Sequence, residues 1–308
     1  MDIREAIIQF LSHCKYEKSL SNFTQQFYEI DLRQFSGFLM KNSITSVKEV
    51  DKNVIRDYVK AVSHHKPNTT KRKLATVKVF FNFLEFEDVI SISPFRKINI
   101  AIKVPKKVPV SLSLSEVKQL FDYLERERKQ QLIADNPYYS CIVRDIAILE
   151  LMFASGMRIR EICAIKLSDI DFESRTIKVW GKGSRERLVY IPSEETWVKI
   201  CSYYQLFKAK IHKLEYFFIS LDDRNINPQT IRFRITKYAK GAEINKNVTP
   251  HTFRHTYATL LLEQDVDLRH IQHFLGHSYI TTTQMYTKVN SNKQREILRA
   301  KHPRLQIQ

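Results

Sequence analysis

The chain has 308 residues, enough for two domains with a core in each. Its 43% hydrophobic and 27% charged content is ordinary for a soluble globular protein, and no apolar run approaches the roughly 20 residues of a membrane span. Fifty Lys plus Arg against 33 Asp plus Glu leave a net charge of +17, which favours a polyanionic partner, most simply nucleic acid; a generally basic soluble protein is the alternative. Cys14, Cys141, Cys163 and Cys201 lie far apart with no CxxC pair. That excludes a zinc cage or disulfide framework as the organising device and fits a reducing cytoplasm. The opening MDIREAIIQF has early acids and a broken apolar pattern, unlike a secretory signal.

Residues 1 to about 100 read as all-helical. Ile3, Ile7, Ile8 and Leu11 recur at helical spacing, and periodic segments follow over 19–41 and 53–62. Pro67-Asn68 starts a fourth helix whose apolar side is Leu74, Val77, Phe80, Phe81 and Leu84. Lys66, Lys71, Arg72, Lys73 and Lys78 cluster near its start, either as a solvated basic face or as contacts to a phosphate backbone. Residues 101–111, with Pro105 and Pro109 among three lysines, read as an extended linker. A helix then runs from Ser113 or Ser115 to about Arg128.

Arg144 to Ile165 divides into two helices broken at Ser155-Gly156, the first strongly apolar and buried. After the break come Met157, Arg158, Ile159, Arg160 and Glu161. An arginine at the mouth of a buried helix pair can be held as rigidly as a phosphate clamp requires. Thr176 to Ile191 alternates as a β-hairpin around Gly-Lys-Gly, and the P-loop pattern GxxxxGK[ST] is absent. A lysine in such a turn, here Lys182, can donate a proton to a leaving oxygen. Helices follow over 197–210 and 228–240, the latter with Arg232 and Arg234 as candidate backbone contacts. The tail from Ser291 carries a basic helix ending in His-Pro-Arg.

Between them lies Thr249 to Lys288. Thr249 caps a helix that starts on Pro250 and runs to about Glu263; Asp267 caps a second that stops at Gly276. His251 and Arg254, three apart, share the face nearest the first helix's positive end. His277 follows the end of the second helix, and Tyr286 comes nine residues later. His, Arg, His and Tyr suggest phosphodiester chemistry with tyrosine attacking. Its reference pKa of about 10 makes ionisation at pH 7 cost roughly 4 kcal/mol, so such a site must supply cations, hydrogen bonds or a base. Taken singly, each residue reads as surface or packing; order and spacing together carry the case. His251/His255 and His273/His277 are each four apart, but no HExxH is present and no acid stands ready as a third metal ligand.

PHTFRHTYAT, LGHSYITTTQMY and SGMRIREI closely resemble the three signature boxes of tyrosine recombinases, the phage-integrase family, most of all its short Xer-type members. The resemblance implies a mainly α fold with a small β-hairpin or sheet, built as a two-domain DNA clamp. Residues 1–100 would be a helical core-binding domain, 101–111 a linker, and 112–308 an α+β catalytic domain with a tail docking onto a neighbouring protomer. It implies catalytic roles for Arg158, Lys182, His251, Arg254, His277 and the nucleophile Tyr286, with Glu161 and His255 in support. Lys71, Arg72, Lys73, Lys78, Arg232 and Arg234 would contact DNA. Arg160 departs from the Xer-type pattern, which has a small hydroxyl residue there. The implied reaction is strand exchange without metal, nucleotide or other cofactor, on double-stranded DNA with paired half-sites. The implied assembly is a homo-tetramer or related hetero-tetramer in the cytoplasm, at the nucleoid, with no membrane and no small-molecule substrate. A type IB topoisomerase-like enzyme and a catalytically inactive DNA-binding protein are the alternatives.

Overall fold

A computed structural model describes residues 1–105, 109–133, 138–181, 186–276 and 291–306. The chain divides into two compact units, 1–107 and 108–308.

The first unit is built from four helices: α1 (Ile3–Tyr16), α2 (Asn22–Lys41), α3 (Lys52–Val62) and α4 (Pro67–Phe86). Asp2, Ser21 and Asp51 cap the first three with side-chain oxygens, and Pro67 opens the fourth where its missing N–H costs nothing. Phe10, Phe35, Phe80 and Phe81 fill the core with Tyr58. Ile98, Ile100 and Ile102 still pack on it, so the unit reaches into the stretch expected as linker.

One ion cluster lies inside this core. Asp31 is fully buried and accepts hydrogen bonds from Arg72, Lys73 and the Thr76 hydroxyl (3.1 Å). Lys73 is only 3% exposed, and its ammonium also reaches Gln34. The basic stretch expected to face phosphate is therefore split. Lys71 and Lys78 are exposed, Arg72 is half-buried against Asp31 and the Phe27 ring, and Lys73 is turned inward as the counter-ion of Asp31. For Lys73 the expected DNA contact is corrected to an internal ion pair. Helical periodicity put its Cα beside Leu74 and Val77, and the cost of that burial is met by a carboxylate on α2.

The second unit is organised around α6 (Tyr138–Ser155), which is buried at every residue from Cys141 to Ser155. Around it pack α5 (Leu114–Ile133), α7 (Ile159–Cys163), α8 (Glu194–Ile211), α9 (Pro228–Gly241) and α10 (Pro250–Glu263). α5 outruns its expected end at Arg128 because no glycine or proline interrupts the sequence before Pro137. A three-stranded antiparallel sheet runs β1 (Ile170–Asp171), β2 (Thr176–Trp180), β3 (Glu186–Tyr190), with Thr176 opposite Tyr190 and Trp180 opposite Glu186. The two-residue β1 was not anticipated. α11 (Leu268–Leu275) and α12 (Ser291–Lys301) complete the unit. Among the described residues no helix is long and apolar enough to cross a membrane.

α6 carries two buried carboxylates. Asp145 accepts from Arg144, from Arg234 (3.0 Å) and from the Tyr238 hydroxyl (2.6 Å). Arg234, expected on DNA, is thus engaged in holding α9 to α6, whereas Arg232 on the same helix is exposed. Glu150 accepts both arms of the Arg304 fork at 2.9 Å. The described part of the tail packs on its own chain. Leu298 is buried, the Lys301 ammonium donates to the Gln264 carbonyl, and His302 is fully buried with Nε2 donating to Ala154 O at 2.6 Å. The Arg304 N–H donates to His302 Nδ1 at 3.1 Å, which fixes the neutral tautomer.

Two predictions follow from these buried charges. Asp31→Ala strands the Lys73 ammonium and should destabilise the first unit by about 3–5 kcal/mol, read by hydrogen exchange in α2 and α4; adding Lys73→Met should recover most of that loss. Burial pushes the His302 pKa down to about 4 from 6.5. A base depressed on folding contributes stability that is complete above pH 6.5 and is lost as pH falls towards 4, here about 3 kcal/mol. Protection of the α12 amides should decline through that window, and His302→Gln should flatten the decline.

Candidate active site

The site begins where α6 ends. Gly156 takes φ +61°, a conformation that favours glycine, and a Cβ there would lie 2.6 Å from the Tyr257 ring and 2.7 Å from Leu275. The turn it makes delivers Arg158 to the start of α7. There the Glu161 carboxylate accepts from the Arg158 backbone N–H (2.9 Å) and from its guanidinium Nη1 (3.0 Å). Arg158 keeps its side chain 40% exposed while Glu161 is 9% exposed, so the carboxylate aims the arginine and is not itself presented.

Arg254 is on the next wall. It stands on α10, whose start is fixed by Pro250 and by Thr249, the hydroxyl of which accepts from Thr252 N. Arg254 is 7% exposed, and its guanidinium donates to Gly156 O at 2.9 Å and to Leu275 O at 2.7 Å. Two helix ends thereby grip one fork. Burial first, then the Arg158 charge, lowers its pKa to about 10, so it remains a cation at pH 7 but one that an anion would stabilise. His251 lies exposed on the first turn of α10. Partial desolvation, followed by the charges of His255, Arg254, Arg232 and Arg158, holds its pKa below 6.5, so it is a neutral donor and acceptor at pH 7.

The structure thus brings together Arg158, Glu161, His251 and Arg254. His255, expected to pack under or support Arg254, is instead exposed, and backbone carbonyls do that work. Lys182, His277 and Tyr286 lie outside the described residues. Arg232 lines a cavity of about 430 Å³ with Arg160, Asn227 and Gln229. One residue absent from the sequence reading joins the site. Arg187 on β3 donates to both Glu161 oxygens, at 3.2 and 2.8 Å, opposite Arg158. Its signal was available in the strand alternation, which puts a charge on the inward face beside Val189.

Three arginines around one carboxylate leave a rigid, partly dehydrated patch of net positive charge, shaped by planar forks. Such a patch suits a phosphodiester and has no comparable fit to a neutral substrate.

Comparison with known proteins identifies the family. The phage integrase family matches residues 111–293, and the phage integrase N-terminal SAM-like domain matches residues 7–88. A tyrosine recombinase of Agathobacter rectalis is 37% identical over 98% of both chains. The tyrosine recombinase XerD of Staphylococcus haemolyticus is 33% identical over 97% of this chain and 99% of its own. Among solved structures, XerH site-specific recombinase bound to its difH substrate in a pre-cleavage complex superposes with a TM-score of 0.64. It shares 18% identity, over 94% of this chain and 83% of the other. The fold is that of the tyrosine recombinases. The chain belongs to the phage integrase family of tyrosine recombinases.

The Gly156 turn generates a prediction. Gly156→Ala should force a left-handed alanine into Tyr257 and Leu275, displace the carbonyl that holds Arg254, and lower stability by about 2–4 kcal/mol. A thermal scan of the full chain, with the Gly37→Ala change in open space as control, checks it.

Proposed function

We propose that this chain performs site-specific recombination, exchanging strands between two DNA duplexes through a 3′-phosphotyrosyl intermediate. Arg158 and Arg254, with His277, hold the non-bridging oxygens of the scissile phosphate and stabilise the charge that builds on them. His251 assists as hydrogen-bond partner or base. The Tyr286 oxygen attacks phosphorus, the bond to the 5′ oxygen breaks, and Lys182 protonates that oxygen as it leaves. The freed 5′ hydroxyl of the partner duplex then attacks the adduct and releases the tyrosine. One phosphodiester replaces another, so the cycle needs no external energy source. The single observation that carries this reading is the Arg254 fork, buried between two backbone carbonyls beside the Glu161-held Arg158.

Residues 1–100 would serve as the core-binding domain, 101–111 as the linker and 112–308 as the catalytic domain. The exposed Lys71 and Lys78 are the phosphate contacts of the first domain, and Arg232 beside Arg160 is that of the second. Two duplexes with two half-sites each call for four protomers, so the working assembly is a tetramer on DNA. Such a substrate places the protein at the nucleoid in the cytoplasm. The difH substrate bound by XerH, the transposon right end DNA bound by the Tn1549 integrase and the net charge of +17 all support a DNA partner.

The test is to incubate the protein with nicked duplexes from a randomised-site library, so that cleavage loses a short strand and traps the adduct. SDS-resistant complexes should form with the wild type and be absent with Tyr286→Phe, which should still bind DNA; adducts surviving that change would sink the assignment. Arg254→Lys keeps the charge but not the fork and should slow adduct formation by about 100-fold or more. Lys71→Met and Lys78→Met should each reduce the salt dependence of DNA binding by about one counterion, whereas Lys73→Met should leave that slope unchanged.

A further inference from the structure

The sheet carries a charge where a strand of this kind would ordinarily place an apolar side chain. Arg187 is the second residue of β3 and pairs in register with Val179, which is 2% exposed; Val189, next on the same face, is 7% exposed. The Arg187 side chain is 12% exposed, and its Nε–H is buried without an acceptor among the described residues. A buried ion pair is often no more stabilising than apolar residues of the same volume, so stability alone gives little reason for an arginine here.

Its contacts give a different reason. Glu161 Oε1 accepts from Arg158 Nη1 at 3.0 Å and from Arg187 Nη1 at 3.2 Å, while Oε2 accepts from the Arg158 backbone N–H at 2.9 Å and from Arg187 Nη2 at 2.8 Å. With Arg158 alone each oxygen would accept one hydrogen bond, one of them from a side chain that is itself 40% exposed. With Arg187 both oxygens are doubly engaged and the carboxylate plane is fixed. Arg187 also lies against Gly276, where a Cβ would come within 3.0 Å of Nη1 and 3.1 Å of Cζ. Gly276 closes α11 immediately after Leu275, the carbonyl of which holds Arg254. The Arg187 charge is felt at Arg254 and at His273 on α11. One guanidinium therefore touches the strand, the Arg158 turn and the end of α11.

We infer that Arg187 is a positioning residue of the recombinase, which locks Glu161 so that the Arg158 fork is preset for the scissile phosphate. It acts through Glu161 and makes no contact with DNA. The inference rests on the phosphotyrosyl reading above and adds a residue to it.

The experiment uses full-length protein and a nicked duplex bearing the site recovered by the wild-type chain. Single-turnover adduct formation, DNA affinity and the thermal midpoint are measured for Arg187→Gln, Arg187→Lys, Glu161→Gln and the Arg187→Gln/Glu161→Gln double variant. Arg187→Gln should form adduct about 100-fold more slowly while binding DNA as the wild type does, since misplacing a preset group costs rate and not affinity. Arg187→Lys should recover part of that rate, because an ammonium can engage one Glu161 oxygen but not both. The double variant should be no slower than the slower single one. Should Arg187→Gln fail to fold, the Lys variant and its combination with Glu161→Gln carry the same comparison. A wild-type rate in the Arg187 variants overturns the inference. So does a loss of affinity that accounts for the lost rate, which would make Arg187 a DNA contact, and so do costs that simply add. If the wild type itself yields no adduct, the phosphotyrosyl reading fails and takes this inference with it.

Discussion

The Arg254 guanidinium is the interaction on which the catalytic unit turns. It joins the carbonyl ends of two helices that are far apart in sequence, α6 through Gly156 and α11 through Leu275. A helix C-terminus carries partial negative charge, so two such ends make a socket for a cation without using a carboxylate. That choice has a chemical effect. A carboxylate partner would neutralise the arginine, whereas carbonyl dipoles fix its plane and leave its full charge for a ligand. Arg158 is handled in the opposite way, with a full ion pair to Glu161 but an exposed side chain. One arginine is buried and undischarged, the other exposed and steered.

The same economy of charge divides the basic residues of both units into two groups. Lys73 and Arg234 are spent internally, on Asp31 and Asp145, and their partners come from helices distant in sequence. Lys71, Lys78 and Arg232 remain at the surface. The 50 Lys and Arg of the chain therefore overstate the cations a polyanion would meet, because some are matched within the cores, while the net charge of +17 is unchanged since each internal pair cancels one charge of either sign. Which cations belong to which group depends on a carboxylate 40 to 90 residues away, as the separations of 42 for Asp31–Lys73 and 89 for Asp145–Arg234 show.

Local signals were legible in the sequence. Thr249-Pro250 and Asp267 with Gly276 bracketed α10 and α11 because caps act over three or four residues. The Ser155-Gly156 break was equally plain, since only glycine suits the left-handed turn that the end of α6 requires. What escaped was set by long-range pairing. Nothing near Lys73 announces Asp31, and nothing near His302 announces that Ala154 and Glu150 await it and Arg304. Arg187 was half visible: the alternation of β3 pointed it inward, but the reason for a charge there lay on α7. His255 was misread for the mirror-image cause, because spacing on a helix says which face a residue shares and not whether that face is covered.

The anchoring of the tail also bears on when the enzyme comes into being. Ala154 and Glu150 belong to the buried central helix, yet their partners His302 and Arg304 come 148 and 154 residues later in the chain. The helix that leads into the Arg158 turn thus receives these partners late, while the first unit, closed around its own core by residue 102, can fold much earlier. Basic surface would be present on the nascent chain well before the turn is finished. The order of synthesis separates the ability to hold a polyanion from the ability to cut it.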